Sequence, residues 1–437
     1  MEWYWALTLM MGGFVFLLLL GLPVAFSFLA INIVGAWIFL GGHAGEMQMV
    51  RNASVAVTTF VLIPIALFVL MGEVLFQTGV AIKAVDAIDI LITKVPGRLS
   101  IVAIVGGTIF AALSGSSAAN TALLGSTLMP EMRKRGYHSS MAMGPILGAG
   151  GLAVLIPPSG LAVLLASLGE ISVSDLLIAG ILPGLLMAVL YFVYVIGLSY
   201  LKPDLAPAYE VVDRTAWERW KPFLIYVVPL FSLFVIVVGS ILAGFASPTE
   251  SAGLGALGAI IIALCYRALS WQNLKKSLFE TAKTTILILF IASASITFSQ
   301  ILLFSGATQG LLNIVKMMEL SPSMLVVSML LVLFFLGCFM DPVSMMLITL
   351  PFYIPLAQAA GIDLVWFALL MLIMLEVSFT TPPFGLILFV MKAIAPPDIT
   401  LKDVCLAALP FVGIALLTVA IIFFFPQVAL WLPGMLE

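Results

Sequence analysis

The run Ser114-Gly115-Ser116-Ser117-Ala118-Ala119-Asn120-Thr121 sets hydroxyls and one amide between two apolar stretches, Ile101–Leu113 and Ala122–Leu128. In hydrocarbon each unsatisfied polar group is costly, so a polar break with a glycine in it is expected to line a cavity rather than face lipid. Hydroxyl and amide oxygens suit a hard cation such as Na⁺, and the ends of two half-helices add carbonyls for cations and N–H groups for anions. A second break, Met340-Asp341-Pro342-Val343-Ser344, puts an ionisable group in an apolar setting with no Lys or Arg nearby in sequence, so a bound cation is the simplest partner for Asp341. Ile156-Pro157-Pro158-Ser159-Gly160 and Thr380-Thr381-Pro382-Pro383-Phe384-Gly385 each remove two backbone donors and free carbonyls in the preceding turn. The candidate sodium and substrate residues are therefore Ser114, Gly115, Ser116, Ser117, Asn120, Pro157, Ser159, Asp341, Ser344, Thr380, Thr381 and Pro382. Helix capping and helix–helix packing by the same Ser, Thr and Gly residues is the competing reading. Glu376, four residues before Thr380, is the ambiguous acid; Glu73 and Glu280 read as interfacial, and Glu250 as a cap with Ser247 or Thr249.

These residues need a membrane scaffold. Of 437 residues, 63% are hydrophobic and only 9% charged, and the mean hydropathy is +1.25. Soluble domains carry about 25% charged residues, so the chain reads as an all-α polytopic membrane protein. The net charge of −3 excludes a nucleic-acid role. Cys265, Cys338 and Cys405 lie far apart and read as buried small residues. The start Met1-Glu2-Trp3-Tyr4-Trp5 lacks a basic region, which favours a retained span over a cleaved signal. No phosphate-binding loop, Cys/His metal cluster or hydrolase motif occurs, so neither enzyme chemistry nor ATP-driven transport is expected, and no cofactor beyond Na⁺ as coupling ion.

In chain order, spans are expected near Trp5–Leu20, Val24–Leu40 and Ser54–Gln77. A flat amphipathic helix follows at Val80–Lys94, with Lys83, Asp86, Asp89 and Lys94 among apolar residues. Two half-length arms, Arg98–Leu113 and Ala118–Met132, have basic ends and a polar middle, which fits a re-entrant hairpin; one long kinked span is the alternative. Then come a broken helix (His138–Gly169), a span (Ser174–Leu201), a polar stretch (Lys202–Lys221) and two spans (Pro222–Phe245, Ser251–Tyr266). A second flat segment, Arg267–Lys283, precedes a span at Thr284–Phe304 and a flat Thr308–Leu320. The arms Ser323–Phe339 and Met345–Pro355, the broken helix Leu364–Met391 and a last span, Val404–Phe425, complete the chain.

One offset of 225 residues takes Pro157-Pro158 to Pro382-Pro383, Gly160-Leu161 to Gly385-Leu386, Pro130 to Pro355, Pro23 to Pro248 and Ser116 to Asp341. The first hairpin is bounded by Lys94, Arg98 and Arg133-Lys134-Arg135, while no basic residue lies between Lys316 and Lys392. By the positive-inside rule the repeats are inverted, ten spans plus two hairpins, with only Arg51 and Lys316 of 18 basic residues outside. The domains read as scaffold spans (1–53), repeat one (54–201), a cytoplasmic loop with further scaffold (202–283) and repeat two (284–437). Inverted repeats with broken helices at the midplane are the architecture of secondary transporters.

The sequence resembles, over essentially its whole length, the large membrane subunit of tripartite ATP-independent periplasmic (TRAP) transporters. The match rests on Gly21-Leu22-Pro23-Val24-Ala25-Phe26, Ser114–Asn120, Met129-Pro130-Glu131-Met132-Arg133-Lys134-Arg135-Gly136-Tyr137, Ile156-Pro157-Pro158-Ser159, Ala179-Gly180-Ile181-Leu182-Pro183-Gly184, Ser247-Pro248-Thr249-Glu250 and Thr381-Pro382-Pro383-Phe384-Gly385. The resemblance implies an elevator-type importer of the ion-transporter superfamily in a bacterial inner membrane, driven by Na⁺. It also implies a small membrane subunit as partner, here a separate chain, and a periplasmic protein that delivers a carboxylate-bearing organic acid. By position it carries Na⁺ binding to Ser114, Ser116, Asn120 and Asp341. Relatives commonly have Asp where this chain has Asn120 and Gly where it has Ser378, which bears on how many Na⁺ are bound. A stand-alone Na⁺/dicarboxylate symporter of the same general fold is the nearest rival, and a channel or receptor is the rival of another class.

Overall fold

A computed structural model describes residues 2–92, 95–207 and 215–435; Lys94 lies outside them. The chain is all helical. Its main helices are α1 (Trp3–Leu19), α2 (Val24–Phe39), α3 (His43–Thr58), α4 (Ile63–Gln77), α5 (Val80–Leu91), α6 (Arg98–Ser114), α7 (Ser117–Lys134), α8 (Ser139–Val154), α9 (Gly160–Leu168) and α10 (Val173–Leu201). They continue as α11 (Ala216–Leu242), α12 (Pro248–Cys265), α13 (Trp271–Phe304), α14 (Ala307–Met317), α15 (Pro322–Gly337), α16 (Pro342–Ala359), α17 (Leu364–Thr380), α18 (Leu386–Ile394) and α19 (Leu401–Phe424). Among the described residues seven helices are long and apolar enough to cross a membrane, and one of them, α16, is an arm of the second hairpin. Six more apolar helices of 10–17 residues include the first arm of each hairpin. The protein is a multi-pass membrane protein.

The offset of 225 residues extends further than the landmarks that revealed it. It carries α7 onto α16 residue for residue at both ends, α5 onto α14, α8 onto α17 and α10 onto α19. It also carries the α3–α4 pair onto α13, and there the two halves differ. Sequence reading separates a flat Arg267–Lys283 from a span at Thr284–Phe304, yet α13 is one unbroken helix of 34 residues, about 50 Å long at 1.5 Å per residue. Its polar first half stays helical because nothing there removes a backbone donor: the residue matching Pro64 is Leu289. In the first half the expected Ser54–Gln77 span is instead split at Thr59, whose backbone is extended just ahead of Pro64. Helix α3 begins at His43. The expected domain borders after residues 53 and 283 consequently fall inside α3 and α13.

Helix ends follow local chemistry. Ser247 and Glu250 form a reciprocal capping box at α12, as their spacing suggests, and Thr400 with Asp403 forms another at α19. Close packing relies on small residues, as expected where lipid is as apolar as leucine. Helix α8 is buried along nearly its whole length, and Gly144 and Gly148 accept the Phe411 ring of α19 at distances that leave no room for a Cβ.

Candidate functional site

Helices α6 and α7 fold back on each other, because Asn120 Nδ2 reaches Gly107 O, 13 residues earlier, at 3.0 Å. A continuous helix would separate those residues by about 20 Å at 1.5 Å per residue, so the two arms form a helical hairpin rather than one straight helix. The turn is Gly115, at φ +58°, in the left-handed region that a side chain disfavours. A Cβ there would meet Pro158 O at 2.8 Å, so the first tip sits directly on the first proline break. The second tip repeats the arrangement: Phe384 N, in the second break, donates to Cys338 O at 3.1 Å. Each hairpin tip thus rests on the interrupted helix of its own half.

At the first tip, Ser116 Oγ accepts from Ala119 N at 3.3 Å and caps α7, while Ser114 Oγ accepts from Ser116 N at 3.4 Å. Asn120 spends both amide hydrogens on carbonyls, Gly107 O and Ala149 O at 2.9 Å, which pins the two arms to α8. That leaves Asn120 Oδ1, Ser117 Oγ and Thr121 Oγ1 buried without a partner. Buried oxygens of this kind are normally satisfied, and three within five residues make the first tip chemically suited to a hard cation. A carboxylate at position 120 could not make the two donations.

The second tip differs. Asp341 caps α16: Oδ1 accepts from Ser344 N at 3.0 Å, and Oδ2 accepts from Ser344 Oγ. Part of the expected cation's task is therefore met by the helix N-terminus and Ser344, although a carboxylate keeps lone pairs for a further ligand. Of the break residues, Ser159 Oγ accepts from Ala162 N at 3.2 Å as the cap of α9. Thr380 and Thr381 Oγ1 both donate back to Val377 O, at 3.0 and 2.6 Å, and tighten the last turn of α17. Capping thus accounts for much of what these side chains do.

The two halves are also unequally covered. Pro157 and Pro158 are buried, whereas Pro382 and Pro383 are exposed. Gly72 of α4 lies against the first tip so closely that a Cβ would meet Ser114 O at 2.7 Å. A cavity of about 450 Å³ opens where α13 and α16 meet the end of α9, lined among others by Glu170, Ser299, Gln300 and Gln358. None of the sequence-predicted site residues lines it. Thr121 belongs to the polar run that sequence singles out, though not to the assigned site; sequence reading missed Gly72 and the buried network in which Asn52 Nδ2 donates to Gln300 Oε1 at 2.8 Å and Thr297 Oγ1 at 3.1 Å.

Comparison with known proteins shows the family. The family described as "Tripartite ATP-independent periplasmic transporter, DctM component" matches residues 11–428. The C4-dicarboxylate TRAP transporter large permease protein DctM of Pseudomonas aeruginosa is 33% identical over 380 residues, covering 86% of this chain and 87% of that one. The ectoine TRAP transporter large permease protein TeaC of Halomonas elongata is 28% identical, covering 97% and 98%, and the 2,3-diketo-L-gulonate protein YiaN of Escherichia coli is 28% identical, covering 93% and 94%. Among solved structures, the Alcanivorax borkumensis YdaH transporter superposes with a TM-score of 0.57 at 15% identity, covering 89% of this chain and 88% of that one. Neisseria gonorrhoeae MtrF gives 0.60 at 15%, covering 88% and 83%; both likenesses concern the fold alone. These sequence relatives are transporter permease subunits and not enzymes, and the chain belongs to the large permease (DctM) component of the TRAP transporters.

Proposed function

We propose that this chain is the permease of a Na⁺-coupled, binding-protein-dependent importer of a small carboxylate-bearing organic acid, working by an elevator mechanism in a bacterial inner membrane. The observation that carries the reading is the doubled unit in which a helix-capped hairpin tip rests on a proline-interrupted helix. In this reading the hairpins are re-entrant and enter from opposite sides. Together with α8–α9 and α17–α18 they form the moving body, while α1, α2, α11 and α12 form the scaffold. Asn120 Oδ1, Ser117 Oγ and the oxygens of Ser114 and Ser116 hold Na⁺ at the first tip, and Asp341 holds it at the second. A carboxylate substrate faces hydroxyls and helix ends, since no Arg stands near either tip in sequence. The relatives' printed substrates, C4-dicarboxylates, 2,3-diketo-L-gulonate and ectoine, support a small charged solute.

The test is uptake of labelled organic acids into proteoliposomes holding this chain and its small subunit, with and without a Na⁺ gradient and the periplasmic binding protein. Accumulation that requires both supports the reading. Accumulation without the binding protein favours a stand-alone symporter, and uncoupled currents favour a channel. Asp341→Ala, correctly inserted, is expected to abolish Na⁺-dependent uptake. Cysteine labelling that reaches positions 133–135 only from outside overturns the orientation.

A further inference from the structure

Glu376 is a carboxylate for which the sodium reading has no use, and it occupies the middle of the molecule. Helix α17 is buried without interruption from Phe367 to Ser378, and Glu376 is 2% exposed. Its Oε2 has no hydrogen-bond partner. Oε1 fills the place a Cβ on Gly151 would take, 1.4 Å from that position. Gly151 is the residue that the 225-residue offset pairs with Glu376, so the carboxylate sits where the two broken helices meet. On the next residue, Gly150, α8 accepts Thr121, whose Oγ1 is also unpartnered. Among the described residues, the titratable group in electrostatic range is the buried Tyr191 phenol of α10, whose ring packs at a tilt against Phe411 of α19 with centroids 5.1 Å apart. No Lys or Arg of α8, α10 or α17 faces it, and the basic residues of α18 and α19, Lys392 and Lys402, lie toward helix ends, Lys392 donating to Ile399 O.

An ionised carboxylate left unpaired in such a place is strongly disfavoured. A metal ion does not fit on the Gly151 side, because Oε1 itself fills the slot and a hard cation collects about six oxygens. We propose that Glu376 is a proton-binding site coupled antagonistically to the Na⁺ site of the first tip. The link is short: Asn120 Nδ2 holds Ala149 O, two residues before Gly151, on the same helix that bears the slot. A cation gathered by Asn120 Oδ1 and Ser117 Oγ favours the ionised carboxylate, so Na⁺ arrival drives one proton off Glu376 Oε2 into water. Return of that proton accompanies Na⁺ release. The balance is one Na⁺ gained for one H⁺ lost, with no bond other than O–H made or broken. This inference rests on the sodium reading of the first tip.

The experiment needs no transported substrate. Thermal stabilisation of the purified membrane complex by NaCl, against choline chloride at equal ionic strength, gives a half-saturating Na⁺ concentration at pH 5.5, 7.0 and 8.5. In the wild type that concentration is expected to rise as pH falls, by up to about tenfold per unit for a one-for-one exchange. In Glu376→Gln, which keeps the shape and fixes a neutral group, it is expected to stay flat. A wild-type response to Na⁺ that ignores pH overturns the proton site and leaves the sodium site standing, whether or not the variant folds. The same pH slope in a folded Glu376→Gln assigns the proton elsewhere and overturns the inference. No stabilisation by Na⁺ at any pH overturns the sodium reading and this inference with it.

Discussion

Glu376 and Gly151 stand 225 residues apart in sequence and touch in space, with Glu376 Oε1 in the volume a Cβ on Gly151 would need. Two helices that correspond under the repeat thus cross at corresponding positions, one supplying the carboxylate and the other its absence of a side chain.

Gly151→Ala must therefore displace the Glu376 side chain or part the helices. Overpacking of a dense core costs about 1–3 kcal/mol, and the expected result is a clear loss of thermal stability in detergent. Glu376→Ala frees the same volume, so the double variant is expected to be less unstable than the sum of the two single ones. A double-mutant cycle reads the difference directly; strict additivity would mean that the two residues do not share the space.

Asn120 makes a separable prediction. Its amide donates to Gly107 O and Ala149 O, which ties both hairpin arms to α8. Asn120→Asp sets an acceptor against two carbonyls, and Asn120→Ala leaves both carbonyls unpaired. Each lost buried partner costs about 1–3 kcal/mol, and the aspartate is expected to be the more damaging because it adds a buried charge. Unfolding midpoints of the two variants check the order; an aspartate variant as stable as wild type would show that the hairpin does not depend on these donations.

Much of the architecture was legible because its signals are local and doubled. Pro157-Pro158 and Pro382-Pro383 mark breaks that backbone chemistry enforces wherever the helices lie, and Gly115 marks a turn for a similar reason. Ser116 and Asp341 were singled out as equivalent, and each caps the second arm of its hairpin. What sequence could not supply was choice among weak local preferences. The charges at Lys275, Lys276, Glu280 and Lys283 read as a flat helix, but charge does not interrupt hydrogen bonding, and α13 runs through them. Likewise the polar residues of α3 had no visible partner until Thr297 and Gln300 arrived from 245 and 248 residues away. The Gly151–Glu376 contact lies in between. The offset that pairs the prolines also pairs these two residues, but offset alone does not distinguish repeat mates that touch from those that do not.

The α3 network is itself testable. Asn52 is buried, its Nδ2 donates to Gln300 and Thr297, and its Oδ1 accepts from Gln48 Nε2 at 3.0 Å. Asn52→Ala leaves those groups to water or to nothing, and a loss of about 1–3 kcal/mol is expected. Helix α3 is fixed to α13 through this network, so faster proteolysis or amide exchange confined to 43–58 is the specific signature. Uniformly faster exchange throughout the chain would instead mark a general loss of stability.

Arg133 and Asp398 give the pH-dependent case, away from the membrane core. Arg133 donates from Nη1 and Nη2 to the two Asp398 oxygens at 2.8 and 2.9 Å, joining the end of α7 to the segment before α19. This hydrogen bonding holds the Asp398 carboxyl below its ordinary range, against a slight opposing effect of burial. An acid with a depressed folded value contributes stability above its unfolded value of about 3.9. That contribution is lost as pH falls through the lower, folded value. Asp398→Asn removes it, so wild type and variant are expected to differ above about pH 5 and to converge as the medium becomes strongly acidic. Both partners are solvent exposed, so the difference is expected to be small and to shrink as salt is raised. Melting curves across pH at low and high NaCl measure it; a gap that persists unchanged into strong acid would show that the pair is not what Asp398 contributes.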